Sequence, residues 1–316
     1  MIIVTGGAGF IGSNLVRGLN KAGQDDILVV DDLTDGRKFG NLVDCRIKDF
    51  WDIEKMRLFI EEKQIFKSDV KALLHQGACT VTTEWDGRYM MQNNYEYSKL
   101  LLHYCLQHDI PFIYASSGSV YGVRQKFREL PDNESPVNVY GYSKYLFDMY
   151  VRRMLKDAKS QVAGLRYFNV YGPREQHKKA MASVVYHFND QILSSGCIKL
   201  FQGSGGFADG EQRRDFIHVD DVVAVNLWFL EHTDKSGIIN VGTGRSRSFN
   251  DVARLVMQWH NRGHIQYIEF PENLRDSYQS LTEADVSALR NTGYKNEFIP
   301  LEIGVGKYLD WLSRNH

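Results

Sequence analysis

Tyr140 and Lys144 stand four residues apart in Tyr-Gly-Tyr-Ser-Lys, a spacing that puts both side chains on one face of a helix. A phenol titrates near ~10 and is a poor base at neutral pH. A lysine ammonium beside it, with an oxidised nicotinamide above, favours phenolate and predicts a lowered value. Ser116-Ser117 lies upstream, followed by Gly118 and then Val120-Tyr121-Gly122. A serine hydroxyl there can hold the oxygen of a reacting alcohol in line with the phenol. The Tyr-x-x-x-Lys spacing alone carries little weight, because a chain this rich in both residues holds about one such pair by chance. Its meaning depends on what surrounds it.

The surroundings begin at the first residues. Ile2, Ile3 and Val4 form a short β-branched run suited to a strand buried on both faces. Gly6, Gly7, Gly9 and Gly12 follow at once; Gly7 to Gly12 satisfies G-x-G-x-x-G, and Gly6, Gly9 and Gly12 also repeat every third residue. Ser13 to Ala22 predicts a helix with Leu15, Val16 and Leu19 on one face. Such glycines let backbone N–H groups approach a pyrophosphate at a helix N-terminus. The next strand, Ile27 to Val30, ends in Asp31-Asp32, the position at which a carboxylate meets a cofactor ribose. An acid there favours NAD, whereas the basic pair Arg37 and Lys38 favours the 2′-phosphate of NADP; as plain solvated loop charges the pair would favour neither.

Further elements alternate. Phe50 to Lys63 predicts a helix, Ala72 to His75 a parallel strand, and Tyr89 to His108 a long helix. Phe112 to Ala115 predicts a strand with Ser116-Ser117 at its carboxyl end, and a helix runs from Tyr140 towards Lys156. Gln76-Gly77-Ala78-Cys79, just past the strand at His75, is small enough for a cofactor to lie against its backbone. Strand and helix in alternation predict an α/β fold, a doubly wound parallel sheet of Rossmann type with a smaller C-terminal lobe.

Composition narrows the function. The chain has 316 residues, 24% of them charged, and a net charge of −1, which gives no electrostatic footprint for nucleic acid. No apolar run approaches the roughly 18 residues of a membrane span. The four cysteines, Cys45, Cys79, Cys105 and Cys197, form no C-x-x-C, so free thiols are expected and no metal site. The first strand begins without a basic and apolar leader. A soluble cytoplasmic protein is expected.

Over nearly the whole chain these motifs resemble the extended short-chain dehydrogenase/reductases that act on nucleotide sugars. The matching pieces are Thr5 to Gly12, Ser116-Ser117 with Tyr121-Gly122, Tyr140 to Lys144, Arg166 to Pro173, Arg214 to Val222 and Asn240 to Gly244. Thr83 to Gly87, Asn93-Asn94-Tyr95, Gly172 to Glu175 with His177-Lys178, Met181 to Val184, and Phe201 to Ser204 are similar to the branch that epimerises ADP-glycero-manno-heptose. The resemblance implies a lipopolysaccharide-core precursor as substrate, tightly held NADP, and transient oxidation at C6″ with return of the same hydride. Tyr140 would serve one epimer and Lys178 the other, with Ser117 orienting the oxygen and Lys144 binding the nicotinamide ribose. From charge pattern alone Lys178 is one more solvated lysine in His177-Lys178-Lys179. Counting back from Tyr121-Gly122 selects Ser117 over Ser116, which is expected to be a buried hydroxyl bonded to backbone.

The same resemblance implies cofactor contacts at Gly6, Gly9, Phe10, Ile11, Gly12, Asp31, Asp32, Lys38, Gln76, Gly77, Ala78, Cys79, Thr80, Asn93, Lys144, Val170 and Lys178. Sugar-nucleotide contacts are implied at Ser117, Asn169, Ala180, His187, Phe201, Gln202, Gly203, Ser204, Arg214 and Tyr278. An Arg214 guanidinium is well matched to a pyrophosphate. His187 also reads as an ordinary amphipathic-helix histidine, and Tyr278 as a half-exposed aromatic. Three positions depart from the pattern. Asp32 replaces an asparagine, Ile53 stands where a lysine can bind the 2′-phosphate, and Ala180 replaces a serine. The first two leave NAD open beside NADP. The stretch Gly205 to Gln212 is longer than the pattern and glycine-rich, either a flap or an insertion.

Residues 1–168 are expected to form the NADP-binding domain, receiving returning segments from about 215–245, and 169–316 the substrate lobe. A homo-oligomer, pentameric by resemblance, is implied. Two other readings compete: an epimerase of UDP- or GDP-sugars, and a non-catalytic dinucleotide-binding protein, which would have no need of Tyr140 and Lys144. A dehydratase would want an Asp-Glu pair where Gly118-Ser119 stands.

Overall fold

The computed structural model describes residues 1–272 and 278–315. Six strands come first: β1 (Ile2–Thr5), β2 (Ile27–Val30), β3 (Asp49–Trp51), β4 (Ala72–His75), β5 (Phe112–Ser117) and β6 (Val162–Tyr167). Then follow β7 (Asn169–Tyr171), β8 (Cys197–Phe201), β9 (Arg213–Arg214) and β10 (Phe216–His218). Last are β11 (Gly237–Val241), β12 (Arg247–Ser248) and β13 (His264–Ile268).

Seven strands make one parallel sheet in the order β11-β6-β5-β4-β1-β2-β3. The chain leaves β1 towards β2 on one side and later returns to β4 on the other. Order therefore reverses between β1 and β4, and a crevice opens at the carboxyl ends of those strands. The expected doubly wound fold is what forms. β11 closes the far edge against β6, with Val241 beside Tyr167.

The two-residue period of a strand explains the layering. Ile2 and Val4 point into a core shared with the helices Phe10–Lys21 and Val219–Glu231. Ile3 points the other way, onto the helices Ile53–Glu61, Tyr97–Gln107 and Val139–Met154. Each fully buried aliphatic side chain contributes about 1.5–3 kcal/mol, so both faces must be covered, and a strand of consecutive apolar residues is the result. A further core lies among the helices Val184–Ser195, Phe249–His260 and Leu301–Arg314, with β8 and β10.

Two expected elements differ. The helix expected from Phe50 starts at Ile53, because Phe50 and Trp51 pair with Val29 and Val30 as β3. Aromatic residues suit a sheet edge, and Asp52 caps the helix by accepting the Glu54 N–H at 2.8 Å. The long helix expected from Tyr89 to His108 contains a π turn at Gln92–Glu96, a feature frequent at functional sites. All four cysteines are free, and no helix among the described residues is long and apolar enough to cross a membrane.

Candidate active site

β1 delivers the glycines to the crevice. Gly6 has φ +66°, and a Cβ there would press on the backbone of Gln76 and Gly77; a Cβ on Gly12 would run into the Gly6 carbonyl. The helix beginning at Phe10 has Gly9 as its N-cap, with no side-chain cap. Its first N–H groups are thus left for an external anion. Backbone that can come this close, an uncapped helix N-terminus and the flanking acids fit a dinucleotide.

One cleft gathers most of the expected cofactor residues: Gly6, Gly9, Phe10, Ile11, Gly12, Asp31, Asp32, Lys38, Gln76, Gly77, Ala78, Cys79, Thr80, Asn93 and Lys178 all line it. Asp31 is buried and already committed. Its Oδ2 accepts the Ala8 N–H at 2.7 Å and its Oδ1 the Lys38 ammonium at 2.8 Å. Lys38 also reaches Asp32 at 3.5 Å. Arg37 turns away and pairs with Asp35 at 2.5 Å, so of the basic pair only Lys38 faces the cleft. Ile53 forms part of the wall.

A second cleft opens from the first, sharing Phe10, Ile11, Gln76, Ala78, Thr80 and Lys178 with it. Ser117, Tyr140, Lys144, Asn169, Val170, Ala180 and Arg214 line this part. Asn138 caps the helix carrying Tyr140 and Lys144 by accepting the Gly141 N–H at 2.7 Å, so Tyr140 sits in the first turn, facing the end of β5. Tyr142, two residues on, points outward.

Of the two influences expected to lower the Tyr140 phenol, the Lys144 ammonium does not act on it here. Burial raises its pKa, and a hydrogen bond with Ser117 opposes only part of that rise. Lys144 is bonded elsewhere, its Nζ donating to the Ala115 carbonyl at 2.9 Å. Burial holds that amine down to about 8, with Asp148 pulling it back up. The expectation for Ser116 also needs correction. Its hydroxyl donates to the Asp148 carboxylate at 2.7 Å rather than to backbone. Asp148 also accepts from Tyr114 and from buried Arg166, each at 2.8 Å. A serine at the end of a strand beneath a helix finds the helix's buried acid before any free carbonyl.

Lys178 stands where the two clefts join, its Nζ 5.5 Å from the centre of the Phe10 ring. It is not a solvated charge. Burial lowers its pKa, and Glu175 raises it in part. Arg214 is buried between aromatic rings, 4.8 Å from Tyr278 and 5.4 Å from Phe249, and burial holds its guanidinium below its ordinary value.

A third cleft takes in Gly203, Ser204 and Tyr278 with Arg124, Gln125 and Phe270. Phe201 is not in its lining but packs edge-on against two rings that are, Phe270 at 5.2 Å and Tyr278 at 6.5 Å between ring centres. Gln202 is exposed and does not line these clefts; its carbonyl receives the Gln212 amide at 2.9 Å. His187 lies behind the wall, 3.3 Å from the Ala180 carbonyl. The stretch from Gly205 is tied down at its far end, where Gly210 N–H donates to Phe201 and Asn250 reaches Asp209.

Sequence reasoning missed several wall residues. Thr5, Tyr89, Tyr97 and His177 line the first cleft, and Thr82, Ser119 and Phe249 the second. Asn94, within Asn93-Asn94-Tyr95, clamps the Cys79 backbone from both sides, at 2.8 and 2.9 Å. Asp148 could have been found, since it lies four residues beyond Lys144.

Similarity to known proteins agrees with this geometry. Residues 2–242 match the NAD dependent epimerase/dehydratase family. The chain is 57% identical over 310 residues to an ADP-L-glycero-D-manno-heptose-6-epimerase of Alkalilimnicola ehrlichii, covering 98% of this chain and 97% of that one. Among solved structures, the ADP-L-glycero-D-manno-heptose-6-epimerase of Helicobacter pylori superposes with a TM-score of 0.86 at 32% identity, over 99% of this chain and 96% of that one. A UDP-glucose 4-epimerase of Thermotoga maritima superposes at 0.80 with 28% identity, over 99% of each chain. A nicotinamide dinucleotide is the cofactor class, and the chain belongs to the NAD dependent epimerase/dehydratase family.

Proposed function

We propose that this protein epimerises ADP-D-glycero-D-manno-heptose to ADP-L-glycero-D-manno-heptose at C6″, with NADP as tightly held cofactor. The observation that carries the reading is the meeting of Tyr140 and Lys178 on one cleft beside the glycine cradle. Inverting a carbon without an acidic C–H needs a route through a ketone and a proton handler for each face. When bound, the nicotinamide supplies a hydride acceptor that gives the hydride back. Tyr140 takes the hydroxyl proton of one epimer and Lys178 that of the other, each returning a proton when the ketone is reduced. Ser117 holds the oxygen, and Lys144 binds the nicotinamide ribose and keeps its proton below about pH 8. Burial of both proton handlers raises the phenol and lowers the amine.

The ADP-sugar would run from this cleft past Arg214, which suits a pyrophosphate, to the Tyr278 cleft. Asn169 and the backbone of Ala180 lie along that path. Lys38, bridging the two aspartates, supports a 2′-phosphate; Asp32 and Ile53 in the wall favour NAD. The reading extends to a division into a cofactor domain, 1–168 with returning segments near 215–245, and a substrate lobe, 169–316. It also extends to a cytoplasmic homo-oligomer, pentameric as its resemblance implies.

Mass spectrometry of the protein as purified, followed by single-turnover trials with ADP-, UDP- and GDP-sugars, tests it. Bound NADP(H) and cofactor reduction by ADP-heptose alone are expected. Reduction by a UDP- or GDP-sugar instead would overturn the substrate, no reduction by any would leave a binding protein, and bound NAD(H) would mean that Asp32 outweighs Lys38.

A further inference from the structure

Lys178 is carried on a kinked 3-10 segment, Gln176–Met181, in the loop between Tyr171 and the helix Val184–Ser195. Arg174 and Lys179 have φ of 76° and 51°, conformations that cost a non-glycine residue about 1–3 kcal/mol each. Something must hold this loop in place. Glu175 is completely buried inside it. Its Oε1 accepts the Ser183 hydroxyl at 2.6 Å and the Gly172 N–H at 3.3 Å, and its Oε2 accepts the Ser183 N–H at 2.5 Å. Gly172 and Ser183 are the two ends of the loop, so a single carboxylate closes it into a ring. The Lys178 N–H donates to the Glu175 carbonyl at 2.9 Å, inside that ring.

We propose that Glu175 is a positioning residue for Lys178: its buried carboxylate closes the loop that brings the amine to the cleft and puts a negative charge inside the ring that carries it. Burial raises the Glu175 carboxyl, and the Ser183 and Gly172 donors and the Lys178 charge oppose that rise; in its charged form it favours a protonated amine at Lys178. Burial lowers the Lys178 pKa, and the Glu175 charge works against that. An amine under both influences can take a proton from one epimer and return it.

The groups facing this pair are few. Tyr186 and Tyr308 adjoin Glu175, and both phenols are pushed up, so they stay neutral. His177, beside Lys178, is held down to about 4 by burial and by the Lys178 and Lys38 charges, and it too is neutral near pH 7.

The inference rests on Lys178 acting as an acid and base, and the test separates the two claims. Trace acetylation read by mass spectrometry reports the pH at which each lysine becomes nucleophilic. In Glu175→Gln the Lys178 midpoint is expected to fall by about one pH unit, with Lys144 unmoved as internal reference. Epimerisation should fall at least about tenfold. A folded Glu175→Gln protein with an unmoved midpoint overturns the proposal. Glu175→Asp keeps the charge and shortens the reach, so activity should fall while the midpoint stays; undiminished activity would equally overturn it. Lys178→Met tests the underlying reading, since parental turnover in that variant would remove Lys178 from the chemistry whatever Glu175 does.

Discussion

Tyr140 and Lys178 meet at one cleft, yet they are held by opposite kinds of structure. Tyr140 rides on a regular helix, capped by Asn138, and its relation to Lys144 is a property of helical geometry. Lys178 rides on a loop with two strained residues, held by a buried carboxylate and by Arg174, which pairs with Asp44 at 2.5 Å and so links the loop to the Lys38 segment. A group on a helix is placed by its neighbours in sequence. A group on a loop is placed by whatever the loop is tied to, and here the ties reach from Gly172 to Ser183 and back to residue 44. One arrangement is robust and local, the other depends on the whole fold.

The helix side of this comparison can be broken first. Tyr140→Phe removes only the phenolic oxygen, and turnover of the heptose nucleotide is expected to fall by about 10²–10⁴-fold with the melting temperature little changed. NMR of the epimer ratio over time checks this; undiminished turnover would mean that the loop, not the helix, holds the essential group.

The two serines at the end of β5 sharpen the contrast between reacting and supporting roles. Ser117→Ala should slow turnover by about 10–100-fold at near-parental stability. Ser116→Ala should instead cost about 1–3 kcal/mol of stability, because Asp148 loses a donor where Arg166 is also buried. Urea denaturation beside kinetics separates the two, and exchanged outcomes would shift the serine register by one residue.

The smallest effect is in pH. Lys144 is held at about 8 in the fold against an ordinary 10.5, so the folded protein gives up this proton before the unfolded chain does. Its contribution to stability therefore rises as pH climbs from about 8 to 10.5 and is unfavourable below that window. Cofactor affinity should move the other way, weakening several-fold between pH 7 and 9 as the ammonium is lost. Titrating the nucleotide by fluorescence at several pH values, with denaturation in parallel, checks both slopes. Lys144→Met should flatten each.

Periodicity made much of this legible. Ile2 to Val4, the glycines and Ala72 to His75 could be read directly because a buried parallel strand and a phosphate-binding turn leave short, local patterns. The Phe50-Trp51 error arose where a helix signal overlapped a sheet edge: β2 supplies a partner that no local pattern reveals. The fate of Arg37 and Lys38 was equally hidden. The two neighbours diverge because Asp35 captures one and the Asp31–Asp32 pair the other.

By itself the amino-acid order determined the strand–glycine–helix opening, the parallel sheet, and the helical pairing of Tyr140 with Lys144, since each depends on contacts between residues only a few positions apart. Tertiary structure alone decided that Ser116 serves Asp148, that burial rather than a neighbouring cation dominates the phenol, and that Lys178, half-buried, turns into the junction of two clefts. Desolvation and long-range hydrogen bonds govern those outcomes, and both come into being only once distant segments pack together.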